Sequence, residues 1–412
     1  MSVARLRQVL QGQYTIAIDS KQTTIADIQA KVAKRARTLT NKGIQLPDSK
    51  TPQAMTQLVN APPLQFRAVD VLRKIGELTT PQWANMARLS SSWATRRYFW
   101  AIAVPRLILS PFRLSPECRD LDFHQKTLMS DEFGIGFAGL IMERLFNTNS
   151  WVDVSVALAD RARYQSVRRK GRAQPDYLMW KDAPGEPFYV VECKGSQSQR
   201  NVSLNQIRRG LEQVPALRFG DGGRKVESVV IATLMQGYGS TVFVIDPKDD
   251  ETTEEREKRL ALQKSERMSE KLGKNVWLIP RATEFEANAW DAQRAQLLKW
   301  AGQYQSASEI ESSIEIAPHQ RADMEDSPLS SFELGKTIFD GVRIPLFPEL
   351  KAAPLTIFLG VEREILKAVR HERQGSRAVV SNIAPRLPKL QDESSGFASI
   401  GTSGTCLVIE GL

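Results

Sequence analysis

Short apolar runs mark the middle of the chain. Two of them, residues 177–180 and 188–193, flank a segment at 182–187 that contains two prolines and a glycine. Proline and glycine are typical of turns, and short apolar runs bounded by such residues are typical of strands. The pattern therefore predicts a β-hairpin over residues 177–193.

Hydrophobic periodicity predicts further elements on both sides of this hairpin. Apolar residues at helical spacing predict a helix over residues 130–146, with Ser130 as its N-cap and two acids in its first turn. Partial alternation predicts a strand at residues 151–158. After the hairpin, the pattern predicts a helix and two strands, at residues 202–217, 227–234 and 241–245. The predicted order is therefore helix, three strands, helix and strand, with one additional strand.

The outer parts of the chain have a different character. Residues 24–40 and 65–78 are predicted to be helices. The most apolar span, residues 98–112, is interrupted by Pro105 and is too short to cross a bilayer, so we predict a buried element there. The predicted regions are a mainly helical, basic N-terminal domain at 1–125, a core at 126–250, a helical extension at 251–304, an acidic linker at 305–331 and a small α+β C-terminal region at 332–412.

Composition and charge favour a globular protein with an anionic partner. Hydrophobic residues make up 42% and charged residues 25% of the chain, and the formal net charge is +9. This charge favours nucleic acid first and a membrane surface second. The basic excess within residues 1–74 is interpreted either as a phosphate-contacting surface or as a solvated helical face.

The cysteines and the N-terminus indicate the compartment. The three cysteines lie far apart without a CxxC pair, which argues for a reducing environment and against a zinc site. The first residues carry no signal-peptide pattern. We therefore expect a cytoplasmic protein without a membrane partner.

Two carboxylates and an ammonium are expected to converge at the hairpin. Asp176 precedes the first strand, whereas Glu192 and Lys194 end the second. Antiparallel pairing brings the start of one strand beside the end of the other, and residues two apart share a face. Cys193 would point to the opposite face, as a core residue rather than a nucleophile.

This arrangement resembles a known nuclease signature. Pro175-Asp176, followed after a hydrophobic strand by Glu192-Cys193-Lys194, is similar to the PD-(D/E)XK motif of restriction-endonuclease-like proteins. The resemblance implies an α/β fold with an αβββαβ core and a mixed central sheet, in agreement with the predicted element order. It also implies hydrolysis of phosphodiester bonds with Mg²⁺, or alternatively Mn²⁺.

The resemblance also implies roles for individual residues. Asp176, Glu192 and the backbone carbonyl of Cys193 would be metal ligands. Lys194 would orient the attacking water and stabilise the developing charge.

Members of the family usually add an acid from the preceding helix. Glu132 and Glu143 are both candidates, and we favour Glu132 because the helix N-terminus is expected to be nearer to Asp176. In the alternative interpretation, Glu132 only stabilises the helix dipole and Glu143 is an exposed surface acid. Gln206, on the helix after the motif, is either a supporting residue of the site or a surface glutamine.

A basic cluster in the loop before Asp176 is the predicted nucleic-acid contact. It could hold a phosphate backbone near the metal, or it could be a charged loop without a ligand. Its members are Arg161, Arg163, Arg168, Arg169, Lys170 and Arg172.

These observations predict a metal-dependent nuclease, acting on DNA in preference to RNA, in prokaryotic restriction, antiviral defence or repair. A homodimer and partner subunits of a defence complex both stay open. Two alternatives compete with a nuclease: a nucleic-acid-binding or scaffold subunit that has the same fold and does not cleave, or a surface hairpin without chemistry in a protein whose basic N-terminal region binds the partner.

Overall fold

A single large sheet runs through the centre of the molecule. The computed structural model describes residues 3–44, 49–79, 87–154, 174–183, 185–219, 226–248, 277–279, 282–313, 325–346, 355–371, 373–387 and 397–411. The large sheet has nine strands, and a separate sheet of five strands is built from the C-terminal part of the chain. The structure therefore confirms the predicted α/β class with a mixed sheet.

The elements are numbered in chain order. The helices are α1 (Val3–Gln11), α2 (Gln22–Thr40), α3 (Ala68–Leu78), α4 (Ala87–Tyr98), α5 (Phe123–Leu145), α6 (Arg200–Gln213), α7 (Ala282–Trp300), α8 (Tyr304–Ser313), α9 (Arg363–His371) and α10 (Arg373–Ile383). The first eight strands are β1 (Gln13–Asp19), β2 (Thr51–Ala54), β3 (Leu64–Arg67), β4 (Leu109–Pro111), β5 (Ser150–Asp153), β6 (Tyr177–Trp180), β7 (Phe188–Ser196) and β8 (Leu217–Phe219). The others are β9 (Val226–Met235), β10 (Ser240–Lys248), β11 (Trp277–Ile279), β12 (Ser330–Leu334), β13 (Thr337–Pro345), β14 (Thr356–Glu362), β15 (Ala398–Ile400) and β16 (Thr405–Glu410).

The middle of the chain builds one half of the large sheet. Strands β5, β6 and β7 form an antiparallel meander, as the predicted hairpin requires. Strand β7 then pairs in parallel with β9, and helix α6 provides the crossover between them. Strand β10 returns antiparallel to β9. The elements α5, β5, β6, β7, α6 and β9 follow one another along the chain in this order, and their strands are neighbours in the sheet.

The N-terminal region builds the other half of the sheet. Strand β1 pairs in parallel with β10, and β3 and β4 pair with β1, while β2 pairs with β10. The predicted separate helical domain at residues 1–125 is therefore corrected: it carries four helices, but its strands belong to the same sheet as the core. Tyr14, Ile16 and Ile18 are buried and alternate with more exposed residues, so they form the side of β1 that faces the hydrophobic core.

The apolar span at residues 98–112 is only partly buried. Tyr98 and Ile102 are buried, but Leu107 and Ile108 are 70% and 91% exposed. The predicted buried element is therefore corrected. The buried part ends at Ile102, residues 103–105 are half-buried, and the exposed residues 106–108 after Pro105 lead into the short strand β4.

The C-terminal sheet is antiparallel, in the order β12-β13-β14-β16-β15. The predicted linker at 305–331 begins with helix α8, so that part of the prediction is corrected. Residues 251–276, the part of the predicted helical extension at 251–304 that precedes β11, lie outside the described residues. Among the described residues, no helix has both the length and the apolar composition needed to cross a membrane.

A buried ionic cluster joins the C-terminal sheet to the core. Arg73 in α3 forms ion pairs with Glu77 at 2.6 Å and with Glu143 in α5 at 2.7 Å. The Arg73 Nε donates to the hydroxyl of Ser399 at 2.9 Å, and the hydroxyl of Thr405 donates to Glu77 at 2.6 Å. Side chains from three parts of the chain thus share one set of buried charges.

Candidate active site

The hairpin brings Asp176 to the level of Glu192. The pairing of β6 with β7 places Tyr177 opposite Val191, so the residue before Tyr177 lies beside the residue after Val191. The backbone N–H of Cys193 donates to Oδ2 of Asp176 at 2.7 Å. The second strand of the hairpin therefore orients the carboxylate that precedes the first.

Glu192 lies in the interior between the sheet and helix α6. Its exposed fraction is 0%, and a Cβ on Gly210 of α6 would lie 3.1 Å from its Cγ. The Nζ of Lys194 donates to Oε1 of Glu192. Oε2 of Glu192 is buried and has no hydrogen-bond partner among the described residues. A buried carboxylate oxygen without a partner is costly, which marks this position as a place for a missing cation or donor.

The charges at the site are out of balance. Burial, together with the neighbouring Asp176 carboxylate, raises the pKa of Glu192 to about 8, although Lys194 opposes this shift. Burial also raises the pKa of Asp176. The carboxylates of Glu192 and Asp176 outweigh the effect of burial on Lys194 and raise its pKa, so the amine is protonated at neutral pH. One ammonium therefore faces the buried carboxylate of Glu192 and the half-buried carboxylate of Asp176, and a proton or a further cation balances the second negative charge.

The preceding helix begins earlier than predicted. Asp122 is the N-cap of α5, and its side chain accepts from the N–H of Gln125 at 2.9 Å. Ser130 is an interior helix residue whose hydroxyl donates to the carbonyl of Lys126 at 2.6 Å, so its predicted role as the N-cap is wrong. The polar residues in the first turns of α5 concealed this start, because they interrupt the apolar period.

The helix acid that interacts electrostatically with Lys194 is Asp131, whereas Glu132 interacts with Tyr98 and Arg97. The Lys194 ammonium acts to lower the pKa of Asp131 against the effect of burial, and Asp131 in turn acts to raise the pKa of Asp176. Glu132 points toward Tyr98 and Arg97, and burial raises its pKa. The structure therefore brings Asp131 to the site and places the predicted residue Glu132 beside it, on another face of the helix.

Close packing of helix and strand explains this placement. A Cβ on Gly195 would overlap with the backbone carbonyl of Ser130, and a Cβ on Gly134 would lie 2.8 Å from the backbone of Lys194. Glycine at both positions lets the backbones of α5 and β7 approach each other. Asp131 is the residue directly after Ser130, whose carbonyl makes this contact with Gly195.

Glu143, the other predicted helix acid, lies in the buried ionic cluster. Its carboxylate pairs with Arg73 at 2.7 Å and with Lys74 at 2.6 Å, and it is 4% exposed. Glu143 is thus neither an acid of the site nor an exposed surface acid, and both interpretations are corrected.

Gln206 lies next to the site. Its Nε2 donates to the carbonyl of Gly195 at 3.1 Å, and its Oε1 is buried without a hydrogen-bond partner among the described residues. The interpretation as a surface glutamine is therefore wrong.

Asp153, which was not predicted from the sequence, also lies near Asp176. It ends β5 opposite Tyr177, and its carboxylate acts to raise the pKa of Asp176. Its position at the end of the strand before the hairpin was the sequence signal that could have identified it.

Cys193 has the role expected for a core residue. Its thiol is buried in the apolar cluster that also contains Val191 and Tyr177, and burial raises its pKa well above the ordinary value. A thiol with this pKa is not a nucleophile.

A large cleft opens beside the site. It has a volume of about 1250 Å³, and Asp131, Gly195 and Gln206 contribute to its wall. Five basic side chains also line it: Arg5, Arg106, Arg113, Arg119 and Lys126, of which Arg5 is paired with Glu117 of the same wall. These residues are spread over the sequence without a run of basic residues, so the sequence did not reveal them as one surface. The predicted phosphate-contacting loop, with Arg161, Arg163, Arg168, Arg169, Lys170 and Arg172, lies outside the described residues.

The donor set fits a hard divalent cation bound together with a substrate. Within the described residues, no group of three or more His, Cys, Asp or Glu side chains is arranged to hold a metal ion by itself. Magnesium, however, is usually bound by one or two carboxylates, with waters and substrate phosphates as the other ligands. Asp176 and Glu192, with the unpartnered Oε2 of Glu192, meet that requirement.

Comparisons with known proteins leave the family of the chain open. No protein-family model matches the sequence. No curated protein and no solved structure gives a match either.

Proposed function

We propose that this protein is a metal-dependent nuclease that hydrolyses phosphodiester bonds at Asp176, Glu192 and Lys194. The observation that carries the proposal is the unpartnered buried Oε2 of Glu192, whose Oε1 accepts from Lys194 and whose neighbour across the hairpin is the oriented carboxylate of Asp176. A simple ion pair has one carboxylate for one cation, whereas the carboxylates of Asp176 and Glu192 both act on the single ammonium of Lys194.

The chain's own groups have separate tasks in this proposal. Asp176 and Glu192 would hold Mg²⁺, or Mn²⁺ in its place, and the carbonyl of Cys193 is a further candidate ligand. The cation, when bound, would supply Lewis-acid polarisation of the scissile phosphodiester. Lys194, protonated by its acidic surroundings, would orient the attacking water and donate to the phosphate oxygen where negative charge develops.

Two further residues would support these groups. Asp131 would hold the Lys194 ammonium from the side of the cleft, and Gln206 would fix the backbone after Lys194 through the carbonyl of Gly195. Both act through Lys194 and are positioning residues.

The arrangement of the elements supports the restriction-endonuclease-like interpretation. The helix, three-stranded meander, crossover helix and parallel strand follow each other in the order of such a core. Asp176 lies directly before the second strand of the meander, and Glu192 and Lys194 lie in the second half of the third. A role in prokaryotic restriction, antiviral defence or repair rests on what such folds usually do. DNA is the favoured substrate on the same basis, and the basic cleft favours nucleic acid in general.

The proposal is tested by incubating the full-length protein with linear duplex, circular duplex and single-stranded DNA and with RNA. Each reaction is run with MgCl₂, with MnCl₂ and with EDTA. Cleavage with metal and none with EDTA is the expected result. Binding without cleavage of any substrate would instead favour a non-cleaving subunit.

A further inference from the structure

The cleft beside the site carries two exposed aromatic side chains. Phe123 and Tyr238 both line it, and they are 78% and 79% exposed. Single exposed apolar residues are common on protein surfaces. What distinguishes these two is their position in one cleft together with basic side chains.

Arg119 lies close to the turn that carries Tyr238. A Cβ on Gly237 would lie 3.4 Å from Nη2 of Arg119, and the carbonyl of Arg119 accepts a hydrogen bond from Lys126 Nζ at 2.7 Å. Phe123 lies between Arg119 and Lys126 in the sequence, in the first turn of α5. Within the described residues, Arg119 forms no ion pair with a carboxylate. Its charge is therefore available to an anion in the cleft that Phe123 and Tyr238 also line.

The size and charge of the cleft select the type of ligand. Its volume of about 1250 Å³ exceeds the roughly 300–1,000 Å³ that is usual for small-molecule pockets. Basic side chains match a phosphate backbone, and exposed aromatic rings match the faces of bases. In a duplex these faces are already stacked on neighbouring bases, so only an unpaired strand gains from the rings.

We propose that this cleft binds an unpaired nucleic-acid strand, with Phe123 and Tyr238 stacking on bases and Arg119 contacting the phosphate between them. This inference rests on the proposed function, since it assigns the substrate class of the same site. The strand would pass Asp131 and Gln206, which line the cleft together with Gly195, the residue that directly follows Lys194. A single strand, or a melted or frayed end, is therefore the preferred substrate.

The test compares binding of a fluorescein-labelled 15-nucleotide oligothymidylate with binding of a 15-base-pair duplex. Full-length protein with Lys194→Met is used, so that neither probe is consumed, and fluorescence anisotropy is recorded at several salt concentrations. Phe123→Leu and Tyr238→Leu keep apolar area but remove the aromatic face. Each is expected to weaken single-strand binding roughly 5- to 150-fold, as removal of a stacking ring does, and to leave duplex binding nearly unchanged.

Matched variants separate stacking from other effects. Tyr238→Phe keeps the ring and is expected to bind like the parent. Leu107→Ala removes an exposed apolar side chain that does not line the cleft and is expected to change nothing. Arg119→Ala is expected to weaken both probes and to reduce the salt slope by about 0.7 to 0.9.

Two outcomes would overturn the inference: duplex bound as tightly as single strand, or ring substitutions that leave single-strand binding unchanged. If cleavage still depends on Lys194 in that case, the nuclease proposal stands without the inference. A different result would separate the two proposals in the opposite direction. If single-strand binding depends on the rings but the wild-type protein, which retains Lys194, shows no metal-dependent cleavage, the binding site is supported and the nuclease proposal is rejected.

Discussion

The backbone N–H of Cys193 donates a 2.7 Å hydrogen bond to the carboxylate of Asp176. This bond crosses from the third strand of the meander to the residue before the second. It occupies Oδ2 and fixes the rotation of the carboxylate, next to Glu192. The site is thus held by the sheet itself, so its geometry is available before any ligand binds.

The sequence favours Glu132 as the helix acid, whereas in the structure Asp131 is the acid that interacts with Lys194. Asp131→Asn removes the negative charge that acts on Lys194, and we expect kcat/KM to fall about 10- to 100-fold, as for other residues that orient reactive groups. Glu132→Gln, one residue further, removes a carboxylate that faces Tyr98 and is expected to leave the rate close to wild type. Steady-state cleavage kinetics of both variants check this. A larger loss in Glu132→Gln would return the assignment to Glu132.

The raised pKa of Glu192 predicts a particular dependence of stability on pH. The folded protein keeps a proton on Glu192 up to a pKa of about 8, whereas the unfolded chain loses it near 4.5. The folded state therefore binds more protons between these values, and the free energy of unfolding falls as pH rises, by up to about 1.4 kcal/mol per pH unit from this group.

Glu192→Gln provides the comparison, because an amide does not titrate. Urea unfolding of both proteins from pH 5 to pH 9, with EDTA present, is expected to show wild type losing stability relative to the variant. Addition of MgCl₂ at pH 9 should restore wild type alone, since the cation replaces the proton. A constant difference between the two proteins across this range would contradict the assignment.

Gly195 is required by the contact between α5 and β7. In Gly195→Ala the new Cβ would overlap with the carbonyl of Ser130, so the helix that carries Asp131 must shift. We expect a loss of about 1–3 kcal/mol in the free energy of unfolding, with lower activity in the folded fraction. Gly239→Ala is the control, because a Cβ there has no heavy atom within 4 Å. Chemical denaturation measures both, and equal stabilities would contradict the close approach.

The buried cluster around Arg73 predicts that the C-terminal sheet and the core unfold together. Arg73→Met leaves Glu77 and Glu143 buried without their main partner, and we expect a loss of about 3–5 kcal/mol. Arg343→Met breaks the more exposed pair with Glu410 and should cost less than about 1 kcal/mol. A single coincident transition in fluorescence and circular dichroism is expected for the wild type.

The hairpin could be predicted from the sequence because its information is local. A turn segment between two apolar runs determines the pairing, and the pairing places Asp176 beside Glu192 and Lys194 on one face. The α/β class followed from the same pattern of elements.

Other features depend on contacts between distant parts of the chain. Strand β1 joins the sheet because Ala17 pairs with Thr241, and no local pattern encodes that partner. Asp131 and Glu132 are neighbours in the sequence, and only the rotation of α5, set by Asp122 as its N-cap and by the contact with Gly195, decides which of them faces Lys194. The basic residues of the cleft come from α1, from the segment between α4 and α5 and from the start of α5, so they are brought together only by folding.

The central claim is tested most directly by metal-dependent cleavage with wild type, Asp176→Asn and Lys194→Met measured side by side. Thermal stabilisation by MgCl₂ is recorded for the same three proteins. We predict that wild type cleaves nucleic acid with MgCl₂ and not with EDTA, and that both variants lose cleavage. Stabilisation by MgCl₂ should be lost in Asp176→Asn and kept in Lys194→Met, because only the former removes a ligand. Cleavage that survives in both variants would contradict the account.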